Sequence, residues 1–308
     1  IMAAADEEGS CERCHVQGNT VGAADMVLPA KSIICMPCHA ATFSAGDTIT
    51  LSALGIFLIG VAAVLFYGLS GTMSGNRTRG RISAFWGVFQ QGLAGMFSRK
   101  TVLVARALVM DVLLQRRLYR RSPARWFIHG LIFYPFAFRF AWGLWALLGS
   151  LISPESGTVW AMLDKNHPLT GFLFDATGVM ILAGLGMALL RGWIEDSRSL
   201  PGLPGRDRIA LFLIGAVVIL GFLLEGVRIA MTEAPPGSGY AFVGYLVSLL
   251  IPGSSFWTGI YGYLWYAHAL LTGAFIAYLP FSRLFHIIMA PVAIAIHAVK
   301  EDRHRAGQ

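Results

Sequence analysis

Each of the four cysteines belongs to one of two five-residue patterns. Cys11-Glu12-Arg13-Cys14-His15 and Cys35-Met36-Pro37-Cys38-His39 are both C-x-x-C-H, and their first cysteines stand 24 residues apart. A zinc site or a pair of disulfides would use the thiols, but neither accounts for a histidine directly after both pairs. Covalent haem attachment does. The two thiols form thioethers and the adjacent histidine becomes the proximal iron ligand. Two c-type haems are therefore expected, on His15 and His39, with Met26 between the motifs as a candidate distal ligand. Such attachment takes place outside the cytoplasm. Residues 1–10 are polar and acidic, and are expected to follow a removed leader.

Those motifs occupy a short segment, 1–47, rich in Gly, Ala and acids. The remaining residues, 48–308, have a different character. The 308-residue chain is 56% hydrophobic and only 13% charged, against about 25% charged in soluble domains. Five apolar spans, about 48–70, 126–152, 170–192, 208–231 and 256–280, are each long enough to cross a hydrocarbon core of ~30 Å. The expected fold is an all-α membrane protein: a five-transmembrane-helix bundle with a small N-terminal dihaem c segment.

The formal net charge of +7 does not point to nucleic acid, because the basic residues gather between spans. The loop 71–125 holds Arg77, Arg79, Arg81, Arg99, Lys100, Arg106, Arg116, Arg117, Arg120, Arg121 and Arg125 against one acid, Asp111. Arg198 and Arg206 lie in 193–207, and Arg283, Lys300, Arg303 and Arg305 follow the last span. Loop 153–169 has only Lys165, and 232–255 has no lysine or arginine. The positive-inside rule puts the basic segments in the cytoplasm. The N-terminus then faces the periplasm, where haem attachment needs it, and the C-terminus faces the cytoplasm of an inner membrane. The basic loop, with amphipathic stretches from Gly87 to Leu118, serves topology and lipid headgroups, or docks a cytoplasmic partner.

Ionisable residues at membrane depth mark functional positions. His129 lies early in span two, His268 in the middle of span five and His286 at its inner end. His268 and His286 are 18 residues apart. On one continuous helix that spacing is five turns, so both would point the same way about 27 Å apart. One haem cannot use both. His129 and His286 share the cytoplasmic depth, and a b haem bridging them is the simplest pairing. Glu225 and Arg228 sit one turn apart in span four, at the depth of Arg139 and His268. They suit an ion-pair network, a quinone pocket or a site for haem propionates.

The stretch Trp126-Phe127-Ile128-His129-Gly130 and the run His268 to Leu279-Pro280-Phe281-Ser282-Arg283-Leu284-Phe285-His286 resemble the gamma subunit of respiratory nitrate reductase. That cytochrome b family includes membrane subunits of heterodisulfide reductase-like and sulfite-reduction-associated complexes. The resemblance covers roughly 48–300. The long basic loop, ending Gln115-Arg116-Arg117-Leu118-Tyr119, looks more like the heterodisulfide reductase-like branch. The resemblance implies two b haems, each held by two histidines. It carries His129 and His286 to the inner haem and His268 to the outer one. The fourth position departs from the pattern, because Arg139 stands ten residues after His129. Arginine has no lone pair to give. An outer haem would take another ligand, such as His167, or be five-coordinate, or be absent. The resemblance also implies quinone chemistry in the outer region.

The implied function is a transmembrane electron-transfer subunit with two haem c and one or two haem b. It works between periplasmic c haems or the quinone pool and a cytoplasmic iron–sulfur subunit of the same complex, with a periplasmic cytochrome as a further candidate partner. The alternative is a quinol oxidoreductase subunit sending electrons outward through its c haems. No acid–base or nucleophile constellation for a soluble substrate is present.

Overall fold

The computed structural model describes residues 15–16, 23–28, 32–39, 47–71, 101–196, 207–251 and 255–306. Cys11, Cys14, the acidic start 1–10, the loop positions Arg77, Arg79, Arg81, Gly87, Arg99 and Lys100, and Arg198 and Arg206 lie outside them, as do the side chains of Lys300, Arg303 and Arg305.

Capping residues set the starts of the long helices. Asp47 accepts from the Thr50 backbone N–H at 3.0 Å and from its hydroxyl at 2.8 Å, opening α1 (Thr48–Gly71). The basic loop then carries a single-turn helix, α2 (Thr101–Ala107), a π-helical stretch Leu108–Leu113, and α3 (Arg116–Arg121). Ser122 and Pro123 start α4 (Pro123–Ile152), with the serine oxygen 3.3 Å from the Arg125 N–H; proline at the first helical position loses no bond it would otherwise make. A short α5 (Gly157–Leu163) leads to α6 (Pro168–Asp196), which again begins on proline. Asp207 caps α7 (Arg208–Met231) through the Ala210 N–H at 3.1 Å. A short α8 (Phe242–Leu249) and α9 (Ser255–Tyr278) follow, and α10 (His286–Ala306) closes the chain.

Among the described residues five helices are long and apolar enough to cross a membrane, and no strand occurs. They are α1, α4, α6, α7 and α9, of 24 to 30 residues, where about 20 suffice. Their outward faces carry Ile59, Trp145, Ile152, Trp193 and Phe212, all largely exposed. Such a surface is costly in water and suits lipid. The expected all-α five-span bundle is what the chain forms, and it is a multi-pass membrane protein.

The chain parts into two compact units: Ile1–Leu54 with Ile128–Ile276, and Gly55–Phe127 with Ala277–Gln308. In the first, α4 meets α6 at Gly184, where a Cβ would come within 2.7 Å of the Ile132 side chain. Ile181, Val227 and Ile229 are fully buried there. Asp175 of α6 accepts from the Val243 and Gly244 N–H groups at 2.6 and 3.2 Å, fixing the first turn of α8.

In the second unit α10 lies against α2 and the π-helical stretch. Asp111, the lone acid of the basic loop, receives Arg116 Nε at 3.1 Å and Arg117 Nε at 3.0 Å. Arg120, Arg121 and Arg125 are exposed.

One expectation is overturned here. His268 and His286 do not ride on one continuous helix. Helix α9 ends at Tyr278, and two 3-10 turns, Leu279–Phe281 and Arg283–Phe285, precede α10. Pro280 offers no N–H to continue the ladder. Ser282 adopts extended backbone (φ −102°, ψ 168°), and its hydroxyl oxygen accepts from the Leu284 N–H at 3.1 Å. That cap starts a fresh turn, so the five-turn phase relation does not hold.

Candidate functional site

His15 reaches back to its own segment. Its Nδ1 lies 3.0 Å from the Ala24 carbonyl oxygen. A carbonyl only accepts, so Nδ1 carries the proton and Nε2 keeps the lone pair. This is the arrangement in which a metal-ligating histidine is oriented by a second hydrogen bond. The following residues pack on the start of α9. Asp25 N–H donates to the Thr258 carbonyl at 3.3 Å. Met26 lies against Gly262, where any Cβ would overlap its sulfur.

The second motif is a tight turn. The backbone N–H groups of Cys38 and His39 both donate to the Cys35 carbonyl, at 3.0 and 2.9 Å. Cys35 and Cys38 are free thiols, partly buried. Burial pushes the Cys38 thiol up, with the Arg139 charge pulling it back. The turn rests directly on α4 at Gly143. A Cβ there would lie 2.8 Å from the Met36 carbonyl oxygen and 3.0 Å from that of His39. Backbone atoms cannot swing aside as a side chain can. Gly143→Val is therefore expected to cost about 1–3 kcal/mol, read as a lowered unfolding midpoint in detergent. Gly55→Val is the control, since nothing lies within 4 Å of its Cβ position; equal effects of the two would contradict the contact.

Behind the turn lie two adjoining cavities, with empty volumes of about 680 and 720 Å³. Both are lined by Cys38, His39, Lys165, Gly221, Glu225 and His268. The first adds Arg139, Phe174 and Asp175, and the second adds Cys35, Arg228 and Trp265. The His39 and His268 rings stand with centroids 6.0 Å apart and planes at 61°. Nδ1 of His268 is buried and has no hydrogen-bond partner among the described residues.

Arg139 is anchored in place. Its Nε donates to Thr177 Oγ1 at 2.8 Å, its Nη2 donates to the Phe174 carbonyl, and its guanidinium sits 5.2 Å above the Phe174 ring. Arg228 Nη2 lies 3.4 Å from Glu225 Oε1, while its Nη1 donates to Asn166 Oδ1 at 2.8 Å. The expectation that Arg139, Glu225, Arg228 and His268 share one depth agrees with their lining of adjoining cavities. His167 lines neither cavity, though its Nδ1 is buried without a partner among the described residues.

His129, on α4, stacks on Phe133 with centroids 5.8 Å apart. His286 belongs to the second unit, where its Nδ1 donates to the Arg283 carbonyl at 2.8 Å; like His15, it retains Nε2 for a metal. Among the described residues no group of three or more His, Cys, Asp and Glu side chains gathers as a metal site. A haem asks for one or two axial protein ligands rather than such a cluster.

Sequence reasoning passed over two charged lining residues. Asp175 is an acid inside an apolar span, which is a readable signal. Lys165 is the only lysine or arginine in its loop.

Residues 137–303, more than half of the chain, match the family model described as nitrate reductase gamma subunit. The chain belongs to that family. It is thus a cytochrome b-type membrane subunit, and Arg139, His268 and His286 fall inside the matched stretch while His129 precedes it. Among curated gamma-subunit relatives is a subunit of the dihydromethanophenazine:CoB--CoM heterodisulfide reductase of Methanosarcina acetivorans, 26% identical over 62% of this chain and 65% of its own length. Its counterpart in Methanosarcina thermophila is 27% identical over the same shares. The EtfAB:quinone oxidoreductase of Syntrophomonas wolfei is 25% identical over 62% of this chain and 27% of its own length. The chain thus spans less than two thirds of the length of these relatives. No solved structure matches it.

Proposed function

We propose that this chain is the membrane electron-transfer subunit of an oxidoreductase complex. It works between c haems at Cys11–His15 and Cys35–His39, or the quinone pool, and a cytoplasmic iron–sulfur subunit, with a b haem held by His129 and His286. Bound haem iron supplies one-electron chemistry; the chain's residues hold, orient and insulate it. The segment 1–47 would face the periplasm and α10 the cytoplasm.

The observation that carries this reading is the seating of the Cys35–His39 turn on α4, with Cys38 and His39 lining the same cavities as His268. A C-x-x-C-H turn lodged among the helices of a cytochrome b-type bundle links an outer attachment site to a membrane one. The residues fit haem in other ways. His15 and His286 each donate Nδ1 to a backbone carbonyl and keep Nε2 for iron. Arg139, Lys165 and Arg228 bring three cations to the cavity walls, matching the carboxylates of haem. One relative is named a quinone oxidoreductase, which supports a quinone at the outer cavity. The exposed Arg120, Arg121 and Arg125 offer a face to an acidic cytoplasmic surface or to lipid headgroups.

Acid–acetone extraction of the purified protein is expected to remove b haem and leave covalent haem on the polypeptide. A pyridine haemochrome assay without any b-type component would end the membrane half of the reading. Mass spectrometry of the native complex is expected to find a co-purifying iron–sulfur subunit; a chain that purifies with no redox partner would end the other half.

A further inference from the structure

We propose that His268 is the second axial ligand of the haem attached at Cys35 and Cys38, opposite His39, so that the outer redox centre of the bundle is a covalent haem c rather than a b haem. The inference rests on the reading that the second C-x-x-C-H motif carries haem.

The geometry points there first. Metal–imidazole bonds of about 2.0–2.1 Å, with roughly 1.1 Å more from ring nitrogen to ring centre, put two trans imidazole centroids about 6 Å apart. His39 and His268 stand 6.0 Å apart. Two rings sharing an axis through one metal are free to twist about it, and the observed 61° is such a twist. Cys35, Cys38 and His39 together line the cavity that holds His268, so thioethers and both axial nitrogens surround one space.

Polar accounting agrees. His268 Nδ1 is a buried imidazole nitrogen with no protein partner among the described residues. Buried polar atoms are nearly always satisfied, so the ring calls for a ligand that the surrounding side chains do not supply. The helix facing it does not supply one either. Arg139 has no lone pair, and its bonds to Thr177 and the Phe174 carbonyl hold its guanidinium in place. The imidazole that does approach His268 comes from the N-terminal turn. Gly143 lets that turn come close, and a Cβ on Gly221 would sit 3.5 Å from His268 Cε1, so the glycine leaves the space beside the ring open.

The test compares wild type, His268→Ala and His268→Met as full-length protein in detergent, by peptide mass spectrometry, optical and EPR spectroscopy, and redox titration. Expected for His268→Ala is unchanged covalent haem mass on the Cys35–Cys38 peptide, one of the two c haems turned high-spin, and no loss of extractable b haem. His268→Met keeps six-coordination through a thioether and is expected to raise one c-haem midpoint potential, which covers the case in which the alanine variant does not fold. Loss of b haem from His268→Ala with both c haems still low-spin would overturn the inference alone. Absence of haem from the Cys35–Cys38 peptide in wild type would overturn both the inference and the reading beneath it.

Discussion

His286→Ala and His129→Ala are each expected to abolish the extractable b haem while leaving both covalent haems attached. Iron needs the lone pair of a neutral imidazole, and alanine offers none. At His286 the donation from Nδ1 to the Arg283 carbonyl at 2.8 Å fixes the tautomer, so Nε2 is the ligating atom. The thioethers do not depend on the bundle, and covalent haem should survive either change. The measurement is the ratio of extracted to covalent haem, expected to fall to zero in both variants. If His268→Ala removed all b absorbance while His129→Ala kept it, the pairing of His129 with His286 would have to be abandoned.

Arg139→Leu is expected to be the most destabilising change in the first unit, by about 3–5 kcal/mol. The hydrogen-bond partners of Arg139 are not the reason. Thr177 Oγ1 still donates to the Leu173 and Phe174 carbonyls, at 2.7 and 3.0 Å, and both remain satisfied. The cost lies in the carboxylates of Asp175 and Glu225, which line the same cavity and feel the arginine's charge. Lysine at 139 keeps a charge but not the planar fork that reaches Thr177 and Phe174 together, so Arg139→Lys should recover part of the loss. Thermal unfolding of detergent-solubilised variants checks this. A leucine variant as stable as wild type would show that Lys165 and Arg228 already neutralise the two acids.

The helices are legible in the sequence because their signals are local. Hydropathy marks five spans, and Asp47, Ser122 with Pro123, Pro168 and Asp207 stand where α1, α4, α6 and α7 begin. The gathering of Arg139, Glu225, Arg228 and His268 at one depth is also legible, since span direction and helical rise determine it. The approach of His39 to His268 is not. It joins opposite ends of the chain, and its seat at Gly143 is one glycine among 35. The phase of His268 against His286 misleads for a different reason. In sequence Pro280 looks like the edge of a span, whereas with Ser282 it divides one helix from another.

That division bears on how such a chain tolerates insertions and deletions. In an unbroken helix one added residue turns everything beyond it by about 100°, so lengthening the stretch between two iron-binding positions would mis-aim one of them. Here the Ser282 cap restarts the helical count four residues before His286. Drift in length upstream of the cap is absorbed there, and the last histidine keeps its local aim relative to Arg283. The two ends of the electron path can therefore diverge in sequence independently, each retuned without the other losing its ligand.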